Sequence, residues 1–148
     1  MKDSPAGQIL EHLCDVEFEN QQGKKPVISR KAKVGEYLVS GEGAVFGANL
    51  NGVVQWDLTQ EVDDHHCGST LMGEILTDDR ASIRFDTLGY MKRGEGDEAS
   101  RYQLTGSVIF ETGSYNYLWM NNVLGVWQGY YDMGSFRHSY RIYIQRFT

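Results

Sequence analysis

The chain reads as an all-β protein, a closed antiparallel β-barrel of about eight to ten short strands with little helix. Three observations lead there. Seventeen Gly against two Pro, with 12% aromatic residues, favour many short strands and turns over a helical bundle. Segment after segment alternates apolar and polar residues with period two, and no window carries a helical stripe. Gly- and Asx-rich turns separate those segments at short spacing, and closing the sheet removes its exposed edges.

Residues 9–18 form the first strand, with Leu10, His12, Cys14, Val16 and Phe18 on one face and Glu11, Asp15 and Glu17 opposite. Residues 20–26 are polar, with a Gly and two Lys, and read as a loop. Residues 27–39 hold a second strand, broken near 33–35. The run Gly41-Glu-Gly-Ala-Val-Phe-Gly47 lacks the Gly-Lys-Ser/Thr ending of a phosphate loop, and no helix pattern follows it. It reads as a backbone bend or close chain approach at a barrel corner. Asn51-Gly52 is a hairpin turn. Residues 53–59 are a strand with Val54, Trp56 and Leu58 on one face and Val53, Gln55 and Asp57 on the other. Residues 71–77 and 81–87 are strands around the polar turn Thr77-Asp78-Asp79-Arg80. Residues 93–98 are a charged, Gly-rich loop.

Residues 101–112 make a long strand. A tight turn at Thr112-Gly113-Ser114 leads to a further one, in which Tyr115, Tyr117, Trp119 and Asn121 share one face and Asn116, Leu118 and Met120 the other. Residues 138–147 are the last strand, with Tyr140, Ile142 and Ile144 alternating against Arg141, Tyr143 and Gln145.

A chain of 148 residues suits one domain with a core that needs no staple. There is no internal repeat and no linker. A net charge of −6 has the wrong sign for a phosphate-binding surface, so nucleic acid is not an expected partner. No apolar run approaches the roughly 20 residues of a membrane span, and no membrane partner is expected. The first residues lack an apolar signal core, which argues for a cytoplasmic protein in which Cys14 and Cys67 are free thiols.

Several segments resemble a family of small bacterial and fungal proteins known as domain of unknown function 3237. The resemblance rests on Gly-Glu-Gly-Ala-Val-Phe-Gly at 41–47, Val-Gln-Trp-Asp at 54–57 and Thr-Asp-Asp-Arg-Ala-Ser-Ile at 77–83. It continues through Gly89-Tyr90, Phe110-Glu111-Thr112 and Tyr117-Leu118-Trp119-Met120-Asn121. It spans roughly residues 35–145 and implies a lipocalin-like, calycin-type barrel. The family has no established general activity. It often carries Asp-Gly where this chain has Asp79-Arg80.

Three sets of residues could carry chemistry. The first is polar residues on barrel strands: Asp57, Glu74, Arg84, Glu111 and Asn121. A carboxylate lining an apolar lumen loses water and can act as general acid or base, and Arg84 or Tyr102 could hold an enolate or phenolate oxygen. Asp57 and Glu111 are the best candidates, because each sits in an apolar, aromatic strand; alternatively these residues face solvent as ordinary strand charges. Glu111 shares a face with Ile109, and Val108, Phe110 and Thr112 share the other. A lumen that received Glu111 would gain from the next strand either Tyr115, Tyr117, Trp119 and Asn121 or Asn116, Leu118 and Met120, and the first set, wider and better able to hydrogen-bond, is the favoured one. The second set is aromatic and includes Trp56, Tyr102, Tyr115, Tyr117, Trp119, Trp127 and Tyr140. Most such residues are core or wall, but several facing a lumen suit a flat, oxygenated ligand. The third set is His12-Leu13-Cys14 and His65-His66-Cys67. Were those strands adjacent, two His and two Cys would complete a tetrahedral zinc site. The spacing is not a standard zinc signature, and the alternative is a buried thiol beside a hydrogen-bonded His, so no metal is expected.

The expected function is binding of a small hydrophobic or aromatic molecule in an aromatic and polar lumen, without a cofactor. Catalytic residues in the alternative reading are Asp57, Glu111 and Arg84, in a cofactor-independent isomerase, cyclase or dehydratase acting on a natural-product-like substrate. Association into a homo-oligomer is compatible with both.

Overall fold

The structure, a computed structural model, describes residues 10–20, 27–31, 34–62, 67–98, 101–132, 134–135 and 137–146. Its strands are β1 (Glu11–Asn20), β2 (Val27–Lys31), β3 (Val34–Phe46), β4 (Gly52–Val62), β5 (Cys67–Thr77), β6 (Ser82–Arg93), β7 (Arg101–Glu111), β8 (Val123–Asp132) and β9 (Arg137–Arg146). They pair in the order β1-β9-β8-β7-β6-β5-β4-β3-β2, and a second edge joins β1 to β3. The C-terminal half of β3, Gly41–Phe46, pairs with β1 and closes an eight-stranded antiparallel barrel. Its N-terminal half, Val34–Leu38, carries β2 as a hairpin extension. The expected break near residues 33–35 is thus a hairpin between two strands.

Period-two alternation sets the barrel's inside and outside. Along β6, Ile83, Phe85, Thr87, Gly89 and Met91 are buried, while Ser82, Arg84, Asp86, Leu88 and Tyr90 face out. The same parity turns Val54, Trp56 and Leu58 inward on β4 and Tyr140, Ile142 and Ile144 inward on β9. Room for the larger rings comes from glycine at the paired position on the neighbouring strand. A Cβ at Gly73 would lie 2.7 Å from Phe85 Cζ, and one at Gly129 2.7 Å from Tyr140 Cδ1. Gly41–Phe46 is strand rather than corner. The expected close approach is there at Gly43, whose Cβ would meet the Glu17 carbonyl oxygen at 2.2 Å.

Two segments depart from expectation. Residues Tyr115–Asn122 are a 3₁₀ helix, not a strand. At three residues per turn Tyr117 and Met120 fall on one face and are buried together, and this pairing replaces the two-residue alternation. The Tyr117 N–H donates to the Ser114 carbonyl at 3.0 Å. The Asn121 side chain ties the far end of the helix to the end of β7, accepting from Thr112 N–H at 2.8 Å and donating to Thr112 O at 2.9 Å. The other departure is β8, which sequence patterning had not singled out. Its inward residues are Val123, Gly125, Trp127, Gly129 and Tyr131, and alternate glycines dilute the apolar signal.

The 3₁₀ helix and Leu50 plug one end of the barrel. Tyr117 Oη donates to the Asp79 carboxylate at 2.9 and 3.1 Å, and the Thr77 hydroxyl donates to the same group. That carboxylate, in the β5–β6 turn, is held below its ordinary range by the Thr77 bond and then by the Tyr117 bond. Tyr117 is pushed up, first by burial and then by Asp79. Arg80 follows with φ of 70°, a left-handed conformation that suits glycine better than arginine.

Candidate functional site

The candidate residues fall on two surfaces. On the outer wall, β3 to β6 form an open saddle of about 550 Å³ lined in part by Glu42, Gln55, Asp57, Glu74, Arg84 and Asp86. Strand register brings Gln55, Glu74, Arg84 and Glu111 into one cross-strand row. Asp57, Glu74, Arg84 and Glu111 therefore do come together, but outside the barrel and not in its lumen. The reason is parity: Val108 and Phe110 take the inner face of β7, so Ile109 and Glu111 take the outer one. Arg84 Nη1 lies 3.8 Å from Glu111 Oε1, with the side chains 64% and 80% exposed. Such a pair contributes about 0–1 kcal/mol, and Glu111, like exposed Asp57, keeps its water rather than being desolvated for acid–base work.

Tyr115 and Asn121 are exposed and lie on the 3₁₀ helix, as does half-buried Trp119. Tyr117 is spent on the Asp79 contact at the plugged end. The lumen wall expected from these four residues is therefore absent. His12 and Cys14 do not share a face either. A bulge in β1 between them turns His12 outward, where its Nε2 lies 2.7 Å from Asp15 Oδ1. Cys14 is a free, buried thiol pushed up to about 12 by burial and then by Asp15. His65 and His66 lie outside the described residues, as does the side chain of Cys67. Among the described residues no cluster of His, Cys, Asp or Glu is placed to hold a metal ion, and no helix is long and apolar enough to cross a membrane.

The lumen is aromatic and carries no charge among its described side chains. Its buried polar groups are Gln60, Ser69, Thr77, Thr87, Thr112 and His138, together with the phenols of Tyr131 and Tyr140. Trp56 and Tyr140, two expected ligand contacts, do face inward, and Tyr102 is half-buried against the same core. Thr87 is satisfied, because its hydroxyl accepts the Leu71 N–H at 3.0 Å where the β5–β6 ladder is interrupted. The Trp56 indole donates to the Glu42 carbonyl at 3.3 Å.

His138 sits at the centre of this cluster, at the end opposite the plug. Its ring stacks on Tyr131 at 3.9 Å between centroids and 15° between planes, and lies 4.7 Å from Trp56. Its Nδ1 is 2.5 Å from the Tyr140 hydroxyl, two residues along the same face of β9. Burial lowers the His138 pKa to about 3, so the imidazole is neutral at pH 7. Burial, and next Tyr131, push Tyr140 well above 10, so it keeps its proton. Tyr140 also meets Trp127 edge-on at 4.7 Å.

Among the described residues, three buried polar atoms of this interior have no hydrogen-bond partner: His138 Nε2, Trp127 Nε1 and Ser69 Oγ. Each costs about 1–3 kcal/mol in an otherwise satisfied interior. Below the cluster a void of about 20 Å³ is walled by residues that include Val54, Leu71, Ile75, Phe85 and Ile142. That is room for about one water molecule, in a lining that offers it almost no partners. Of these groups, Trp127 stands out in the sequence only as one aromatic among many, and His138 and Ser69 do not stand out at all. The available signal was the extension of the β9 alternation by one step, from Tyr140 back to His138.

Fold and site together define a small antiparallel β-barrel with a buried aromatic cluster. No protein-family model matches the chain, and no curated protein matches it. Solved structures do. A protein of unknown function from Clostridium acetobutylicum is similar at TM-score 0.79 and 21% identity, over 93% of this chain and 99% of that one. A beta-barrel like protein from Acinetobacter baumannii gives 0.80 and 20%, over 97% and 99%. A protein described as an enzyme from Penicillium herquei gives 0.67 and 19%, also over 97% and 99%. At these identities the likeness is one of fold.

Proposed function

We propose that this barrel binds a small hydrophobic or aromatic molecule in its lumen, among Trp56, Trp127, Tyr131, His138 and Tyr140. The observation that carries the reading is the set of unpartnered polar atoms inside an aromatic interior. A barrel interior that served stability alone would be better filled with apolar side chains, which leave no donor unanswered. The strands are locked by their ladder and the far end is plugged. A ring-sized ligand therefore enters by displacing the aromatic side chains at the His138 end. The resemblance to domain of unknown function 3237, with its lipocalin-like barrel, belongs to the same reading.

The test is a titration with N-phenyl-1-naphthylamine, an uncharged aromatic dye that brightens on leaving water. Saturable binding of one dye per chain, lost in a folded Ser69→Phe variant whose added ring occupies the lumen, is the expected result. Unsaturable brightening, or equal binding by the folded variant, contradicts it.

A second reading is a cofactor-independent isomerase, cyclase or dehydratase on the same barrel. It draws on the hydrogen-bonded His138–Tyr140 pair and on the fold shared with a protein described as an enzyme. Proton handling then falls to those two side chains rather than to Asp57 or Glu111, which face water. Enzyme-dependent exchange of the α-hydrogens of 2-tetralone in D₂O, abolished by His138→Phe, is its expected signature.

A further inference from the structure

We infer that the lumen selects uncharged ligands presenting a carbonyl or comparable acceptor oxygen, over hydrocarbons and over carboxylate anions of the same size. The inference rests on the binding role proposed above and names the chemical class of its ligand.

At neutral pH the His138 ring carries one proton and Tyr140 keeps its own. If the ring proton were on Nδ1, it would donate to the Tyr140 oxygen. The Tyr140 O–H and the Nε2 lone pair would then both go unanswered. If the proton is on Nε2, the Tyr140 hydroxyl donates to Nδ1 across the 2.5 Å contact, and a single donor, Nε2–H, is left over. The second arrangement leaves fewer buried groups unsatisfied and is the one the surroundings favour. Trp127 Nε1–H is a donor in any state, and the Ser69 hydroxyl can give or take. Among the described residues the unmet demand of this interior is therefore two obligate donors and one adaptable hydroxyl, with no obligate acceptor.

A carbonyl oxygen has two lone pairs and nothing to donate, so it answers a donor and creates no new orphan. A hydrocarbon leaves every donor unanswered. A carboxylate could accept too, but it would shed its hydration in a lumen whose described side chains include no Arg or Lys, beside an imidazole that burial keeps uncharged. His138 and Trp127 both lie against Tyr140, with ring centroids 5.7 and 4.7 Å from it, so both donors belong to the one ring cluster around that phenol.

The experiment compares three probes of similar size, 1-tetralone, tetralin and 1-naphthoate, by calorimetric or fluorescence titration at pH 7. 1-Tetralone is expected to bind about tenfold or more tightly than tetralin, the equivalent of one answered donor, with 1-naphthoate weakest. His138→Phe is expected to remove most of the ketone's advantage. Equal affinity for the ketone and the hydrocarbon, or tightest binding by 1-naphthoate, overturns the inference and leaves the binding role standing. If none of the three binds and the naphthylamine dye also fails, the binding role itself is overturned. Should His138→Phe not fold, the ranking of the three probes on the unaltered protein decides the matter.

Discussion

His138 and Tyr140 meet inside the barrel with 2.5 Å between the imidazole Nδ1 and the phenol oxygen. They are two residues apart on β9, so the pleat places both on the inner face. The stack of Tyr131 on His138 holds the ring in plane. The contact fixes which nitrogen is used up and leaves Nε2 without a partner among the described residues. Its consequences extend to stability, because a neutral buried imidazole cannot be protonated in place.

The first prediction concerns acid. His138 titrates near 6.5 in the unfolded chain and about 3 in the folded one. Between those values the unfolded state binds the extra proton, so stability is full above about 6.5 and declines as pH falls toward 3. Urea unfolding is expected to give about 2 kcal/mol less stability at pH 5.0 than at pH 7.5 from this group. A folded His138→Phe variant should lack that share of the slope. An unchanged slope in the variant would show that His138 is not the titrating group.

Asp79 acts in a lower window. Its folded pKa lies below the unfolded value of 3.8, so its contribution is present above that value and is lost as pH falls further. Tyr117→Phe, which removes one of its donors, should raise the Asp79 pKa seen by NMR and shift the acid transition upward. No change in that pKa would mean the Tyr117 contact is not made in solution.

Asn121→Ala strips two hydrogen bonds from Thr112, leaving a backbone N–H and C=O without their partners at the edge of the plug. A loss of about 1–3 kcal/mol is expected by denaturant unfolding, with faster hydrogen exchange over residues 115–122. Wild-type stability would contradict the clamp.

Arg80→Gly should stabilise the β5–β6 turn by about 0.5–1 kcal/mol, because a left-handed φ of 70° is strained for arginine and free for glycine. A lower melting temperature in the variant would mean the arginine side chain contributes more than its backbone costs.

Glu111→Gln and Arg84→Ala touch only an exposed ion pair on the outer wall. Both are expected to stay within about 0.5 kcal/mol of wild type and to leave dye binding unchanged. A specific loss of binding in either would reopen the outer saddle as the functional surface.

The barrel was legible in the sequence because alternation and turn residues act locally. The inner faces of β4 and β9 follow from Val54-x-Trp56-x-Leu58 and Tyr140-x-Ile142-x-Ile144 alone. The candidate site was less legible for two physical reasons. The sign of a strand's parity at its end depends on the whole barrel, so Glu111 looked lumenal beside Phe110 although Phe110 holds the inner face. And Tyr115–Asn121 alternates like a strand while folding at three residues per turn, because Tyr117 and Met120 are needed together to plug the barrel. A β-bulge at His12/Cys14 broke the third pattern in the same way, since one extra residue reverses every face beyond it. His138 was within reach, one step before an inward tyrosine, but only its missing partner marks it as more than core.

The most direct measurement of the lumen as the binding site is the response of the three indole N–H resonances to 1-tetralone in a ¹⁵N-labelled protein. Trp56 and Trp127 point into the lumen, whereas Trp119 sits on the plug helix and serves as an internal control. Trp127 and Trp56 are expected to shift together with one dissociation constant, Trp127 moving downfield as its N–H gains an acceptor, while Trp119 stays in place. Shifts confined to Trp119, or no shift at saturating ketone, would contradict binding in the lumen.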